Sequence, residues 1–181
     1  MIPAFYDRGA DGLPAAWLVK VRQSMTTLTA QFSANRAVRQ YTTEFYVPGA
    51  AAYEARRAKQ CALGVSMAQQ RQTLARKWHT LSFGAFQVDT REGQHYFQVE
   101  VNCGEADPAA VQVELYADGL DGPPIRQPMV RGKKLPGGRK SYVYRAQVAA
   151  LRPTGDFTPR LIAKIDGLAV PLETSLIMWQ R

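Results

Sequence analysis

Histidine and cysteine are scarce in this 181-residue chain, with two of each, and their placement removes several chemistries. Neither His79 nor His95 has a second histidine four residues on or a cysteine pair nearby, so the spacing of a zinc site is missing. Cys61 and Cys103 lie far apart and fit no ligand pattern. They read as two reduced thiols of a cytoplasmic protein, not as a disulfide. No apolar run approaches the roughly 20 residues that a membrane-spanning helix needs, and no membrane partner is expected. The start, Met1-Ile2-Pro3-Ala4-Phe5-Tyr6-Asp7-Arg8, has no basic region leading into an apolar stretch and does not read as a signal peptide. GxGxxG and Walker-type phosphate loops are absent as well.

What is present suits a packed chain. Hydrophobic residues make up 46% and charged residues 21%, close to globular averages, which argues against wholesale disorder. The net charge of +8 is unevenly spread: residues 1–80 hold eleven Lys and Arg against four Asp and Glu, residues 81–181 twelve against eleven. A basic half can mark a nucleic-acid or membrane partner or simply the solvated face of helices that meet an acidic neighbour. The second reading is preferred, because the basic and aromatic residues form no recognised nucleic-acid module.

The hydrophobic period changes near Trp78–Ser82. Before it the pattern is helical. Pro14 suits a first helical turn, where its missing N–H is not needed. Trp17, Leu18, Val21, Met25 and Leu28 then share one stripe. Ser33 is placed to cap a second helix, with Ala34, Val38, Tyr41 and Phe45 on one face and Arg36, Arg39 and Gln40 elsewhere. Pro48-Gly49 is expected to end it. Residues 50–81 are rich in helix formers but carry only a thin, small-residue stripe, so this helix should lie along another surface, with a kink at Gly64.

After Ser82 the period is two. Phe97, Val99 and Val101 alternate with Gln98, Glu100 and Asn102. Val111, Val113 and Leu115 alternate with Gln112, Glu114 and Tyr116, and Leu161, Ala163 and Ile165 form a third row, each predicting a strand with one buried face. Turn signals stand at Glu92-Gly93, Asp107-Pro108, Asp118-Gly119 and Gly137-Gly138, and the strongest hairpin signal at Asp166-Gly167. Pro159 and Pro171 suit strand starts or edges. Seven or eight short strands over about a hundred residues suggest an immunoglobulin-like antiparallel sandwich.

Candidates for chemistry are few. His95 with Cys103 could form a base–nucleophile pair, but nothing marks Cys103 as activated and a structural cysteine is the better reading. The basic stretch Arg131-Gly132-Lys133-Lys134-Leu135-Pro136-Gly137-Gly138-Arg139-Lys140 has phosphate-loop composition without the spacing or a following helix, and reads as a solvated hairpin tip. Tyr142 and Tyr144 could stack on sugars if exposed, though their period suits the core better. No acid/base carboxylate pair stands out. No catalytic, cofactor-binding or metal-binding residue is therefore assigned, and no substrate-binding residue is named.

Two stretches go beyond pattern. Leu13-Pro14-Ala15-Ala16-Trp17 through Val21-Arg22-Gln23-Ser24, and Gln31-Phe32-Ser33-Ala34-Asn35-Arg36-Ala37-Val38-Arg39-Gln40-Tyr41 through Glu44-Phe45-Tyr46, resemble the end of the glycogen and maltodextrin phosphorylases, glycosyltransferase family 35. There a Pro-x-x-Trp helix precedes Phe-Ser-x-x-Arg-x-x-x-x-Tyr. The beginning Ile2–Arg8 is most similar to the bacterial α-glucan phosphorylases, whose extra C-terminal sequence resembles Val111–Gly119 through Ala169-Val170-Pro171-Leu172-Glu173.

The resemblance implies a parent enzyme that cleaves α-1,4-glucan with phosphate to glucose 1-phosphate. It also implies pyridoxal phosphate on a lysine, with the cofactor lysine, phosphate loop and catalytic histidine all upstream of this type of ending. The expectation is an α+β chain: residues 1–80 a helical segment resembling the phosphorylase C-terminal helices, residues 82–181 an immunoglobulin-like sandwich. Its expected role is a non-catalytic structural or interaction module, either a fragment or a shortened reading frame. An α-glucan-binding sandwich is the first alternative and a basic nucleic-acid-binding helical module the second. Expected partners are the parent's catalytic core, a second copy through the apolar helix stripes, or α-glucan.

Overall fold

The computed structural model describes residues 2–120, 122–136 and 140–181. The chain divides into two compact units, one ending at Arg57 and one running Ala58–Arg181. Helices come first and two antiparallel sheets follow, an α+β layout.

The first unit holds α1 (Ile2–Tyr6), α2 (Ala15–Leu28), α3 (Ala34–Tyr41), a π-helical turn (Thr42–Tyr46) and the start of α4 (Val47–Lys77). Phe5 meets Trp17 edge to face, with ring centroids 5.7 Å apart. Pro14 immediately precedes α2 instead of lying in its first turn, and its carbonyl accepts from the Leu18 N–H at 3.0 Å. Ser33 caps α3 as expected, its Oγ accepting from the Arg36 N–H at 3.3 Å. On the polar side Arg36 Nη1 donates to Gln40 Oε1 and Gln40 Nε2 to Glu44 Oε2, an i, i+4 ladder.

The helix does not end at Pro48-Gly49. The Val47 N–H reaches back to the Thr42 carbonyl, a wider i→i+5 turn. Proline in a regular helix loses one bond and presses on the carbonyl four residues back. One π turn just before it relaxes that contact, so the helix continues. Nor is there a kink at Gly64. The break falls at Ala58–Cys61, where Lys59, Gln60 and Cys61 take φ of 50, 56 and 63°. These are left-handed values that glycine tolerates but that residues with a Cβ, Asn and Asp apart, seldom adopt.

In the second unit, residues 62–77 of α4 bury Met67 and Leu74 in the same core as the sheets. The thin stripe foreseen for this helix is thus used against the β structure. A 3₁₀ turn, Trp78–Thr80, leads to β1 (Ser82–Arg91), β2 (Gln94–Asn102), β3 (Val111–Ala117), β4 (Ile125–Pro128), β5 (Val130–Lys134), β6 (Ser141–Ala149), β7 (Thr158–Ala163) and β8 (Ile177–Trp179). One sheet has the order β1-β2-β6-β5, the other β4-β3-β7-β8. Their inner faces share one core: Phe97, Val99 and Val101 from β2, Val113 and Leu115 from β3, and Leu161 from β7 are all fully buried. Each such side chain contributes about 1.5–3 kcal/mol.

Turn chemistry behaves as the residues dictate in most places. Glu92 and Gly93 both have positive φ, 52 and 71°, and Arg91 pairs with Gln94, so two residues close the β1–β2 hairpin in the manner that matches strand twist. Asp107 accepts from the Ala109 N–H and closes an Asx turn. Asp166-Gly167 does not form a hairpin. Only Gly167 has positive φ, the Leu168 N–H bonds to the Ile165 carbonyl, and the chain travels on to Ile177 before pairing again. Pro159 is the second residue of β7, buried in the middle of its sheet opposite Leu115, and Pro171 lies in a turn rather than on a strand. The expected Gly137-Gly138 tip lies outside the described residues.

Candidate functional site

The two histidines have different surroundings. His79 sits exposed in the 3₁₀ turn. His95 is buried at the start of β2, with Nε2 2.7 Å from the Arg152 carbonyl and Nδ1 2.7 Å from Thr90 Oγ1. A carbonyl only accepts, so Nε2 carries the proton, and in the neutral ring Nδ1 accepts from the threonine hydroxyl. Arg152 in turn donates to the Asp118 carbonyl at 2.6 Å and to Asp156 Oδ2 at 3.0 Å. His95 is thus a buried clamp between β2 and the loop before β7. Cys103 lies eight residues further along, roughly 26 Å at strand rise, and the two form no nucleophile–base pair.

Cys103 is fully buried. Burial pushes its thiol up, partly offset by Tyr144, Arg131 and Lys140. A raised thiol is an inert one. Tyr142 and Tyr144 both face the core, Tyr142 partly buried and Tyr144 only 4% exposed. Of the basic stretch, 137–139 lie outside the described residues. Arg131 stacks over the Tyr142 ring at 5.1 Å, and Lys140 Nζ donates to the carbonyls of Glu105 and Ala106. Among the described residues no three His, Cys, Asp or Glu side chains converge as metal ligands would.

The pyridoxal phosphate that the phosphorylase resemblance implies does not fit the lysines of this chain. A lysine carrying it must be desolvated, with backbone N–H groups cradling the phosphate. Lys20, Lys59, Lys133, Lys134 and Lys164 are exposed, Lys77 ends α4, where a helix offers carbonyls and not N–H groups, and Lys140 is committed to carbonyls.

The most organised polar array lies on the outer face of the second sheet. Glu114, Arg160 and Trp179 stand side by side in register across β3, β7 and β8. Arg160 donates from Nε and Nη2 to Glu114 Oε1 at 2.8 and 2.6 Å. Its guanidinium lies 4.3 Å from the Tyr116 ring centre and 5.0 Å from that of Trp179. The two rings meet edge to face at 5.3 Å, and Gln112 Nε2 donates to the other Glu114 oxygen at 3.1 Å. Glu114 was expected to point outward to solvent. It does point outward, but the arginine and its rings cover it, so it is buried. A carboxylate held this way is poorly placed to exchange protons with a substrate, whereas Trp179, 42% exposed, offers a fixed aromatic face. Sequence reading missed this array because alternation assigns Glu114, Tyr116 and Arg160 to a polar face without saying which cross-strand neighbours they have. The signal available was the lone arginine between Pro159 and Leu161.

The chain is therefore an α+β protein that carries on one sheet a surface array of aromatic rings around an ion pair. It is similar, over 76 residues at 30% identity, to glycogen phosphorylase from two Mycobacterium tuberculosis strains and from Mycobacterium bovis. The match covers 42% of this chain but 9% of each relative, and supports a distant, phosphorylase-like relationship. No protein-family model matches the chain.

Proposed function

We propose that this chain is the non-catalytic C-terminal portion of an α-glucan phosphorylase-related protein and acts as a structural and interaction module. The observation that carries the reading is the uncovered apolar surface of the first unit. Met25 and Val38, on the stripes of α2 and α3, are 62% and 63% exposed, and Tyr41, Phe45, Tyr46 and Tyr53 are exposed too. Helices of this kind need a partner surface, and a phosphorylase catalytic core is the partner the mycobacterial similarity favours. The parent reaction would be phosphorolysis of α-1,4-glucan, with its pyridoxal phosphate bound upstream. The β unit reads as an immunoglobulin-like sandwich. Eight strands ordered β1-β2-β6-β5 and β4-β3-β7-β8 match the A-B-E-D and C′-C-F-G arrangement of that fold.

The purified chain should release no glucose 1-phosphate from maltodextrin and phosphate, and should bind a phosphorylase core that lacks its own last helices. Val38→Glu with Phe45→Glu should abolish that binding. Turnover by the chain alone would overturn the reading.

A second reading rests on the Tyr116–Arg160–Trp179 array, whose exposed indole suits stacking on a sugar ring. It makes the β unit an α-glucan-binding module. Retention on an amylose column, lost in Trp179→Ala, supports it; free passage of the unmodified chain removes it.

A further inference from the structure

We propose that the outer edge of β1 pairs antiparallel with β1 of a second copy of this chain, joining two four-stranded sheets into one of eight strands. The proposal uses only the β unit and does not rest on the phosphorylase reading.

The two sheets of the described residues have four edge strands, β1, β5, β4 and β8. An edge presents unpaired N–H and C=O groups to other chains, and proteins blunt it by shortness, proline, lysine or a break in the ladder. β8 has three residues. β4 has four and ends in Pro128. β5 carries Lys133 and Lys134 and an irregular register between Arg131 and Lys134. From Phe86 onward β1 has none of these devices. Its register with β2 shifts between Phe83 and Phe86 and then runs unbroken to Arg91, and residues 87–91 are all exposed. The charges there are one of each sign. Arg91 lies 3.8 Å from Asp89 and leans over the Tyr96 ring of its own sheet at 4.5 Å.

The hairpin fixes which groups are free. Arg91 and Gln94 flank its two-residue turn and exchange hydrogen bonds, and such pairs alternate along an antiparallel ladder. Gln87, Asp89 and Arg91 therefore bond to β2, whereas Phe86, Val88 and Thr90 turn their N–H and C=O groups to the open side. Among the described residues no backbone group from elsewhere in the fold reaches them. Val88 is also exposed, although it shares the inward face with Phe86, which packs on the core.

The strand is complementary to itself. With a two-fold axis at Val88, Phe86 and Thr90 of one copy pair with Thr90 and Phe86 of the other, and the two Val88 residues pair together, about six hydrogen bonds in all. Gln87, an amide donor, then stands opposite the Asp89 carboxylate on both sides of the axis, and the two Val88 side chains cover each other. An axis at Asp89 sets two carboxylates face to face, which is repulsive. Axes at Gln87 or Thr90 pair fewer groups, because they run into the bulge or into the Glu92-Gly93 turn. A two-fold contact of this kind closes at the dimer.

The test follows the full chain by sedimentation over a dilution series up to about 1 mM, with amide hydrogen exchange on the same samples. So small a contact lies at the weak end for protein pairs. A monomer–dimer equilibrium is therefore expected, with exchange at Val88 and Thr90 slowed in the dimer only. Val88→Lys opposes two ammonium groups at the axis and should weaken the dimer by about tenfold or more, with its far-UV spectrum unchanged. If that variant loses its fold, Gln87→Glu, which sets a second carboxylate opposite Asp89, takes its place and should weaken the dimer too. Val38→Glu with Phe45→Glu alters only the helix faces and should leave the dimer intact, so failure of helix docking and failure of this edge are read separately. A monomer at every concentration overturns the proposal, and so does a dimer that the β1 variants leave intact or that the helix variant removes. Exchange at Val88 and Thr90 that ignores concentration overturns it as well, since the edge is then free or belongs to a different chain.

Discussion

The helices up to Arg57 and the sheets after Ser82 have similar shares of apolar residues and use them in opposite ways. In the sheets, period-two alternation sends Phe97, Val99, Val101, Val113, Leu115 and Leu161 into one core. In the helices the apolar stripes are just as regular, yet among the described residues only Pro14 is buried. A sheet face finds its cover in the second sheet, whereas three short helices with one stripe each have too little surface to cover one another. The lesson is that a correct amphipathic pattern specifies an element and its buried side, but not whether the cover belongs to the same chain.

Substitutions on the two sides should therefore differ most. Phe97→Ala or Leu115→Ala is expected to cost about 3–5 kcal/mol by emptying a packed site. Met25→Ala or Val38→Ala should change stability by less than about 0.5 kcal/mol, as exposed positions do. Urea unfolding of the isolated chain checks both. A large loss from Val38→Ala would mean that the helices are covered within the chain or by a second copy. Next in size is Glu114→Ala, expected to cost about 3 kcal/mol because it leaves the Arg160 guanidinium buried without its counter-charge. It should also loosen Trp179, seen as a red shift in tryptophan emission.

Much of this architecture was legible beforehand. Ser33 as a cap, the Glu92-Gly93 hairpin and the inward rows of β2 and β3 follow from local rules. The misreadings share one cause: a local signal was outweighed by its surroundings. Pro48 ends no helix because a π turn precedes it, and Asp166-Gly167 closes no hairpin because no strand follows at once. The Glu114–Arg160–Trp179 row could not be read at all, since it depends on the register of three strands separated by up to 65 positions in sequence.

The core also carries a pH signature. The Tyr144 phenol is held from its ordinary 10.0 up to about 12, and the Cys103 thiol is raised from 9.0, in each case chiefly by burial. For both groups the folded state keeps its proton when the unfolded chain has begun to lose it, so stability is unchanged below pH 9.0 by these groups and falls as pH rises through the window to about 12. Tyr144 alone is worth about 2 kcal/mol across that window. Denaturant titrations at pH 8 and at pH 11 should show Tyr144→Phe losing less stability than the unmodified chain, roughly 1 kcal/mol less. Equal losses would mean that the phenol reaches solvent in the folded state.

A further small effect is expected where one region gives way to the other along the chain. Lys59, Gln60 and Cys61 hold three successive left-handed conformations, each costing about 1–2 kcal/mol in a residue with a Cβ. Glycine pays no such cost there. In a continuous helix the same substitution would destabilise by about 1 kcal/mol, so its sign tells the two backbones apart. Gln60→Gly is expected to stabilise the chain by up to about 1 kcal/mol, since part of the relief is offset by the greater freedom of glycine in the unfolded chain. Gln60→Ala, which keeps the Cβ, should be neutral or slightly unfavourable. If glycine instead destabilises and alanine stabilises, residues 58–61 are helical in solution, and the helical region then runs unbroken from Val47 into the segment that packs on the sheets.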